Sequence, residues 1–212
     1  MTDTTVFVMR HGQSEGNVAR IWTSARAGYP LTDLGREQAR AAAVPLLSRD
    51  VTTVYGSPLV RAQQTAEEVA GVLGLSPLTL EGVEELHVGV HEGQHDDDVA
   101  PIAMEVFGRW LGEGDFDHGF EGGETGREIA ERMSAALNEV ADAHPGEAVV
   151  VVSHGGSMAV GLGGLCDNLP VTFVGRHLLA NTDVVEARRS DGRWHCVSWA
   201  GLDPVDGADG DR

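Results

Sequence analysis

Positive charge is scarce in this 212-residue chain, where 15 lysines and arginines face 33 aspartates and glutamates for a formal net charge of −18. A nucleic-acid backbone demands a basic footprint and an anionic bilayer a polybasic patch, so neither nucleic acid nor a membrane surface is expected as a partner. Cysteine is nearly absent. Cys166 and Cys196 stand without CxxC or zinc-type spacing, which argues against a disulfide framework and predicts two reduced thiols in a cytoplasmic protein. No apolar run approaches the roughly 18 residues of a membrane span, and the opening MTDTTVFVMRHG lacks the basic and apolar regions of a signal peptide. What is present is an ordinary globular composition, 42% hydrophobic and 23% charged, long enough to bury a sizeable core. An acidic chain can still bind phosphate if its few cations converge in one cleft, because the local field there outweighs the total charge.

Apolar, β-branched runs at Val6 to Met9, Val51 to Tyr55 and Ala148 to Val152 predict buried strands. A further pair, near Thr182 to Arg188 and Trp194 to Trp199, is expected to join around Asp191-Gly192. Helices are expected from Thr32 through the alanine-rich Ala39 to Leu47, and after Ser57-Pro58, with Ser57 as N-cap, Pro58 first in the helix and Arg61 in its first turn. Asp98 to Leu111 carries a helical stripe of Val99, Ile102, Val106 and Trp110 between loops at 82–98 and 112–123. Thr125 and Glu128 form a capping box ahead of Ile129, Met133, Leu137 and Val140. Alternating strands and helices with no internal repeat predict an α/β fold, a three-layer α/β/α sandwich on a mostly parallel sheet. One domain over 1–202 is expected, with residues 86–124 as a small lid insertion and a disordered acidic tail from Asp203.

Two predicted strands end in His-Gly, at Arg10-His11-Gly12 and at His154-Gly155. Ligands of open α/β sheets bind at the carboxyl ends of strands, so both histidines can meet in one crevice. A phosphomonoester suits such a place. Arginines grip its oxygens in pairs and keep their charge, a neutral imidazole can attack phosphorus, and neighbouring guanidinium groups lower the imidazole pKa. The leaving alkoxide then needs a proton from a carboxylic acid.

In these residues the chain resembles the histidine phosphatase superfamily, in its phosphoglycerate mutase-like branch. The resemblance is carried in order by Met9-Arg10-His11-Gly12-Gln13-Ser14-Glu15-Gly16-Asn17, Pro30-Leu31-Thr32 with Gly35, Ser57-Pro58-Leu59-Val60-Arg61-Ala62, Glu85 with Gly89 and Glu92-Gly93, Gly123-Glu124-Thr125, and Ser153-His154-Gly155-Gly156. It implies a phosphoglycerate mutase-like fold and a phosphohistidine on His11. Arg10, Arg61 and His154 would bind the transferring group, with hydrogen bonds from Asn17 and the Gly155 backbone, and Glu85 would be the general acid. Glu85 is preferred to Glu84 because it stands four residues before Gly89. The implied reaction needs neither metal nor cofactor, its substrate is a small phosphorylated metabolite, and a homodimer is common in such proteins. The chain departs from the family pattern at His91, where a bulky aromatic commonly precedes Glu-Gly, and at Ser24 to Gly28. The inserts of the glycolytic mutases are not recognisable, which favours hydrolysis over a mutase-type phosphoryl transfer.

Other readings compete. His87, His91 and His95 lie four apart ahead of Asp96, Asp97 and Asp98, a pattern that invites a metal, but Gly89 and Gly93 interrupt the helix that would align them. Gly155-Gly156-Ser157-Met158-Ala159 approximates a nucleophile elbow, with Asp183 and His195 following in order, so a serine hydrolase using Ser157 is an alternative. A non-catalytic module that only binds a phosphorylated ligand is another. Arg20, Trp22, Arg26, Tyr29, His91, Arg109 and His118 are candidates for the outer substrate pocket.

Overall fold

The structure is a computed structural model that describes residues 3–204. Its centre is a six-stranded sheet of β1 (Thr4–Arg10), β2 (Val51–Gly56), β3 (Pro77–Thr79), β4 (Ala148–Ser153), β5 (Val184–Ser190) and β6 (Arg193–Trp199). The order is β3-β2-β4-β1-β5-β6. The first four strands are parallel, and β5 and β6 close the β1 edge in antiparallel fashion. Alternation along the central strands sends side chains to both faces. Val6, Val8, Val149 and Val151 pack on one side, against α5 (Gly126–Ala143) and α6 (Gly155–Leu165). Phe7, Met9, Val150 and Val152 pack on the other, against α2 (Asp33–Ala43) and α3 (Val60–Leu73). The three-layer expectation is met, and apolar strands with both faces covered are what a mostly parallel sheet requires.

Local chemistry decides several boundaries. Thr125 and Glu128 form the expected capping box on α5, and Ser14 with Asn17 forms another on α1 (Glu15–Ala19). The expected start of α3 is corrected: the helix begins at Val60 behind Leu59, and Ser57 is not its N-cap. The Ser57 hydroxyl pairs with the His154 ring at 2.8 Å and accepts from the amide of Leu59, the cap residue itself, at 3.4 Å. Arg61 nevertheless lies in the first turn. α4 (Asp96–Gly108) begins before the expected Asp98, because His95 Nδ1 caps it by accepting from the Asp97 amide. It passes at Arg109 into a π turn over Arg109–Glu113. The hairpin forms, but β5 starts at Val184 because Thr182 has a left-handed φ of 65°. β3 and α7 (Val171–Arg176) were not anticipated, being too short to show a period.

The stretch 86–124 is anchored in the core beneath α5 and the sheet: Val99, Val106, Trp110 and Phe120 are buried in the same cluster as Val6 and Met133. Its turn at Gly89 needs glycine, since φ is +61° and a Cβ would run into the Glu121 carbonyl. Residues 205–212, most of the expected tail, lie outside the described residues.

Candidate active site

The carboxyl ends of β1 and β4 are neighbours, paired through Arg10 and Ser153, so the residues that follow each strand emerge side by side. The His11 amide donates to the Ser153 carbonyl at 3.0 Å, and the His11 carbonyl accepts from Asn181 Nδ2 at 3.0 Å. Gly12 follows, its amide bonded to Thr65 Oγ1 and its Cα so close to the Gly35 carbonyl that a Cβ could not fit. The imidazoles of His11 and His154 lie 5.1 Å apart between centroids. Both are buried, at 2% and 0% exposure.

Hydrogen bonding settles which His11 nitrogen carries the proton. Nδ1 is 2.7 Å from the Gly12 carbonyl oxygen, which can only accept, so the proton is on Nδ1 and Nε2 presents a lone pair. Arg61 Nε donates to that lone pair at 3.0 Å. Burial first, then the charges of Arg61 and Arg10, hold the His11 pKa well below the ordinary imidazole value. His154 is held low as well, by burial and then by Arg61. Its Nε2 meets Ser57 Oγ, and its Nδ1 is buried without a partner. Arg10 is in a similar position: one terminal nitrogen donates to the Leu179 carbonyl, and Nε is buried without a partner. Gly155 opens α6 beside this guanidinium, a Cβ there falling 3.2 Å from Arg10 Nε. Two guanidinium groups, two neutral imidazoles and the positive end of an 11-residue helix therefore bound one spot.

Glu85 faces them across a cavity of about 890 Å³ that Arg10, His11, Asn17, Arg61, Gly155 and Glu85 all line. Its carboxylate is seated on backbone amides, Oε1 accepting from Ser157 at 3.0 Å and from Leu86 at 3.1 Å. Glu84 does not line this cavity. It accepts from the Gly82 amide at 2.6 Å, and burial followed by its contact with Glu81 raises its pKa. Asn17 uses Oδ1 to cap α1 and to accept from Asn181 Nδ2 at 3.3 Å. Asn181, which ties His11 to Asn17, was not singled out from the sequence, and its carboxamide in a loop gave no periodic or motif signal.

With this geometry in hand, comparison with known proteins is decisive. A profile of the histidine phosphatase superfamily (branch 1) matches residues 6–201. The chain belongs to the histidine phosphatase superfamily. A relative named "Probable phosphoglycerate mutase GpmB" from Cronobacter sakazakii is 31% identical over 92% of this chain and 89% of its own. A solved mycobacterial glucosyl-3-phosphoglycerate phosphatase, complexed with VO3, is 26% identical with a TM-score of 0.79, covering 93% of this chain and 99% of its own. Phosphoserine phosphatase from Entamoeba histolytica, in complex with 3-phosphoglyceric acid, shares the fold at 24% identity and a TM-score of 0.76, covering 94% of this chain and 100% of its own. Members of the superfamily are phosphatases or mutases.

Against this superfamily frame, the outer-pocket candidates divide. Arg20, Trp22 and Tyr29 line the cavity. Arg26, His91, Arg109 and His118 are not among its lining residues. Arg26 turns outward to Glu81, and Arg109 pairs with Asp115 six residues on. His91 packs edge-on to Phe120 with Nδ1 at Gln94, and the His118 carbonyl accepts from the Trp110 indole at 2.8 Å. Arg26, Arg109 and His91 each had a side-chain partner that residue type alone could not reveal.

The competing constellations are not assembled. Ser157 Oγ is buried, donating to the Glu84 carbonyl at 2.6 Å and accepting from Arg132 at 3.1 Å. His195 instead meets Asp167, and Asp183 caps the Ala180 amide. His87 Nδ1 accepts from the Gly89 amide while His95 caps α4, and among the described residues no three His, Cys, Asp or Glu side chains gather as a metal site needs. No described helix is long and apolar enough to cross a membrane.

Proposed function

We propose that the protein is a phosphomonoesterase working through a phosphohistidine on His11. The observation that carries this reading is the fixed tautomer: Nδ1–H bound to the Gly12 carbonyl and an Nε2 lone pair directed at a guanidinium. A buried imidazole kept neutral among cations is a nucleophile already in its reactive protonation state. When a phosphomonoester binds, the Arg61 N–H moves from Nε2 to a phosphoryl oxygen, freeing the lone pair. Arg10 Nε, buried without a partner, supplies a further donor, and His154 Nδ1 is another in the tautomer whose Nε2 accepts from Ser57. Asn17 Nδ2 and the amide end of α6 complete the cradle.

Nε2 attacks phosphorus, the phosphorus–oxygen bond to the leaving group breaks, and Glu85 passes its proton to the departing oxygen. Glu85, now a carboxylate, takes a proton from water, whose oxygen displaces His11 and gives inorganic phosphate. The charge is met by Arg10, Arg61 and the helix end, so the scheme needs no divalent cation. Segment 86–124 is read as the cover of this one catalytic unit, since α4 and the π turn form part of the cavity wall.

Transfer to a second substrate oxygen, as a mutase performs, is the other reading, and the name of the Cronobacter relative favours it. One experiment addresses both. Phosphate release from p-nitrophenyl phosphate in excess EDTA should persist, fall by at least about 10³-fold in His11→Ala, and be accompanied by an acid-labile phosphoenzyme. Dependence on added Mg²⁺, or turnover surviving His11→Ala, would overturn the scheme. Isomerisation of 3-phosphoglycerate faster than phosphate release would make the enzyme a mutase.

A further inference from the structure

Away from the phosphate floor the cavity changes character. Its outer wall is made by Ala103, Met104 and Phe107 of α4, Leu111 of the π turn, and Leu178 and Leu179 after α7. Met104 and Leu178 are each 76% exposed, the two most exposed large apolar side chains of the described residues, and both border this one cavity. A lone exposed apolar residue is ordinary, whereas several lining one recess mark a binding surface.

Several groups that could read a polar leaving group are already engaged. Of the four arginines that line the cavity, Arg10 and Arg61 form the floor, and Arg20 is held by Asp96 and Asp97 at 2.7 and 2.8 Å. The fourth, Arg176, is at the outer end of α7. The Trp22 indole N–H is given to Asp96 at 2.8 Å, so the ring presents its apolar body. A phosphorylated hydroxy acid or sugar would need charge or hydrogen bonds along this wall, where methyl and methylene groups predominate and Thr172 and Arg176 of α7 are the polar side chains beside them.

We infer that the substrate is the phosphomonoester of an apolar alcohol, its phosphoryl group on the floor and its hydrocarbon chain along α4 and the π turn. The inference rests on the phosphomonoesterase reading and narrows it. The atoms follow the same course: the phosphorus–oxygen bond breaks, the Glu85 proton completes the hydroxyl of the free alcohol, and water supplies the oxygen of phosphate.

Binding and turnover are measured separately so that the two readings can fail apart. Ethyl-, butyl- and hexylphosphonate, whose carbon–phosphorus bond the mechanism cannot break, are titrated calorimetrically beside 2-carboxyethylphosphonate. Each buried methylene should tighten binding by up to about fourfold, a ceiling of about 250-fold between ethyl and hexyl, of which at least about 30-fold is expected. The carboxylate should bind no tighter than ethyl. Hexyl phosphate should correspondingly exceed ethyl phosphate and 3-phosphoglycerate in kcat/KM by at least about tenfold. Met104→Gln and Leu178→Gln, both at exposed positions, should each shrink the hexyl-to-ethyl ratio at least threefold, about 0.65 kcal/mol. Affinity independent of chain length, tighter binding of the carboxylate, or ratios unmoved by both variants would overturn the inference even with His11-dependent hydrolysis intact. Graded phosphonate binding without turnover of any phosphomonoester would sustain the ligand class and defeat the phosphatase reading instead.

Discussion

The floor and the outer wall of the same cavity are built on opposite plans. The floor is polar and sealed: His11 and Arg61 are at most 5% exposed, His154 is buried beside them, and strand ends and backbone carbonyls hold them. The wall is apolar and open, assembled from α4, the π turn and the residues after α7, with Met104 and Leu178 left in solvent. Fixed geometry is expensive to keep on a surface and valuable for chemistry, so it is placed where the sheet already orders the backbone. Shape complementarity to a hydrocarbon needs no such precision, and helices at the periphery suffice.

That contrast predicts a descending series of effects. The largest is expected at Glu85, which bridges floor and wall. Glu85→Gln should lower kcat/KM for an alkyl phosphate by about 10²–10⁴-fold, and far less for p-nitrophenyl phosphate, whose leaving group departs without a proton. Equal losses would remove Glu85 as the acid and return attention to Glu84.

A smaller effect concerns stability. The folded pKa values of His11 and His154 are depressed, chiefly by burial, so each ring is neutral in the folded state while the unfolded chain takes up a proton near pH 6.5. Their contribution is therefore complete above pH 6.5 and is lost as pH falls toward the folded values, by at most about 1.4 kcal/mol per pH unit for each ring. Urea unfolding between pH 7 and 5 should show wild type losing more than His154→Gln. Parallel slopes would mean that the floor opens to water before it unfolds.

The smallest effects are expected outside the wall. Arg26→Ala, His91→Ala and Arg109→Ala should each change kcat/KM less than about twofold, because those side chains are spent on exposed local pairs. A tenfold loss in any of them would show that the wall rearranges to bring that residue inward during turnover.

The legibility of the two regions differs for the same reason. Each floor residue sits within a contiguous motif at the end of a recognisable strand or in the first turn of a helix, so Arg10-His11-Gly12, Arg61 and His154-Gly155 could be brought together on paper. The wall could not be read that way. Arg26 and Arg109 lie in the right segments and point the wrong way, while Met104, Leu111 and Leu178 look like ordinary helix and loop residues until the chain closes. Ser57 shows the limit even for the floor: its position predicts an N-cap, yet the hydroxyl pairs with a histidine 97 positions away.

Order and spacing of residues along the chain were enough to determine the layered parallel sheet, because β-branched runs and capping boxes act over a few residues. They were also enough to name the groups that meet at the strand ends. Folding in three dimensions alone decided the proton on His11 Nδ1, the amides that seat the Glu85 carboxylate, and the apolar outer wall. Those features depend on which carbonyl, amide or methyl group arrives from a distant part of the chain, and no local pattern encodes that arrival.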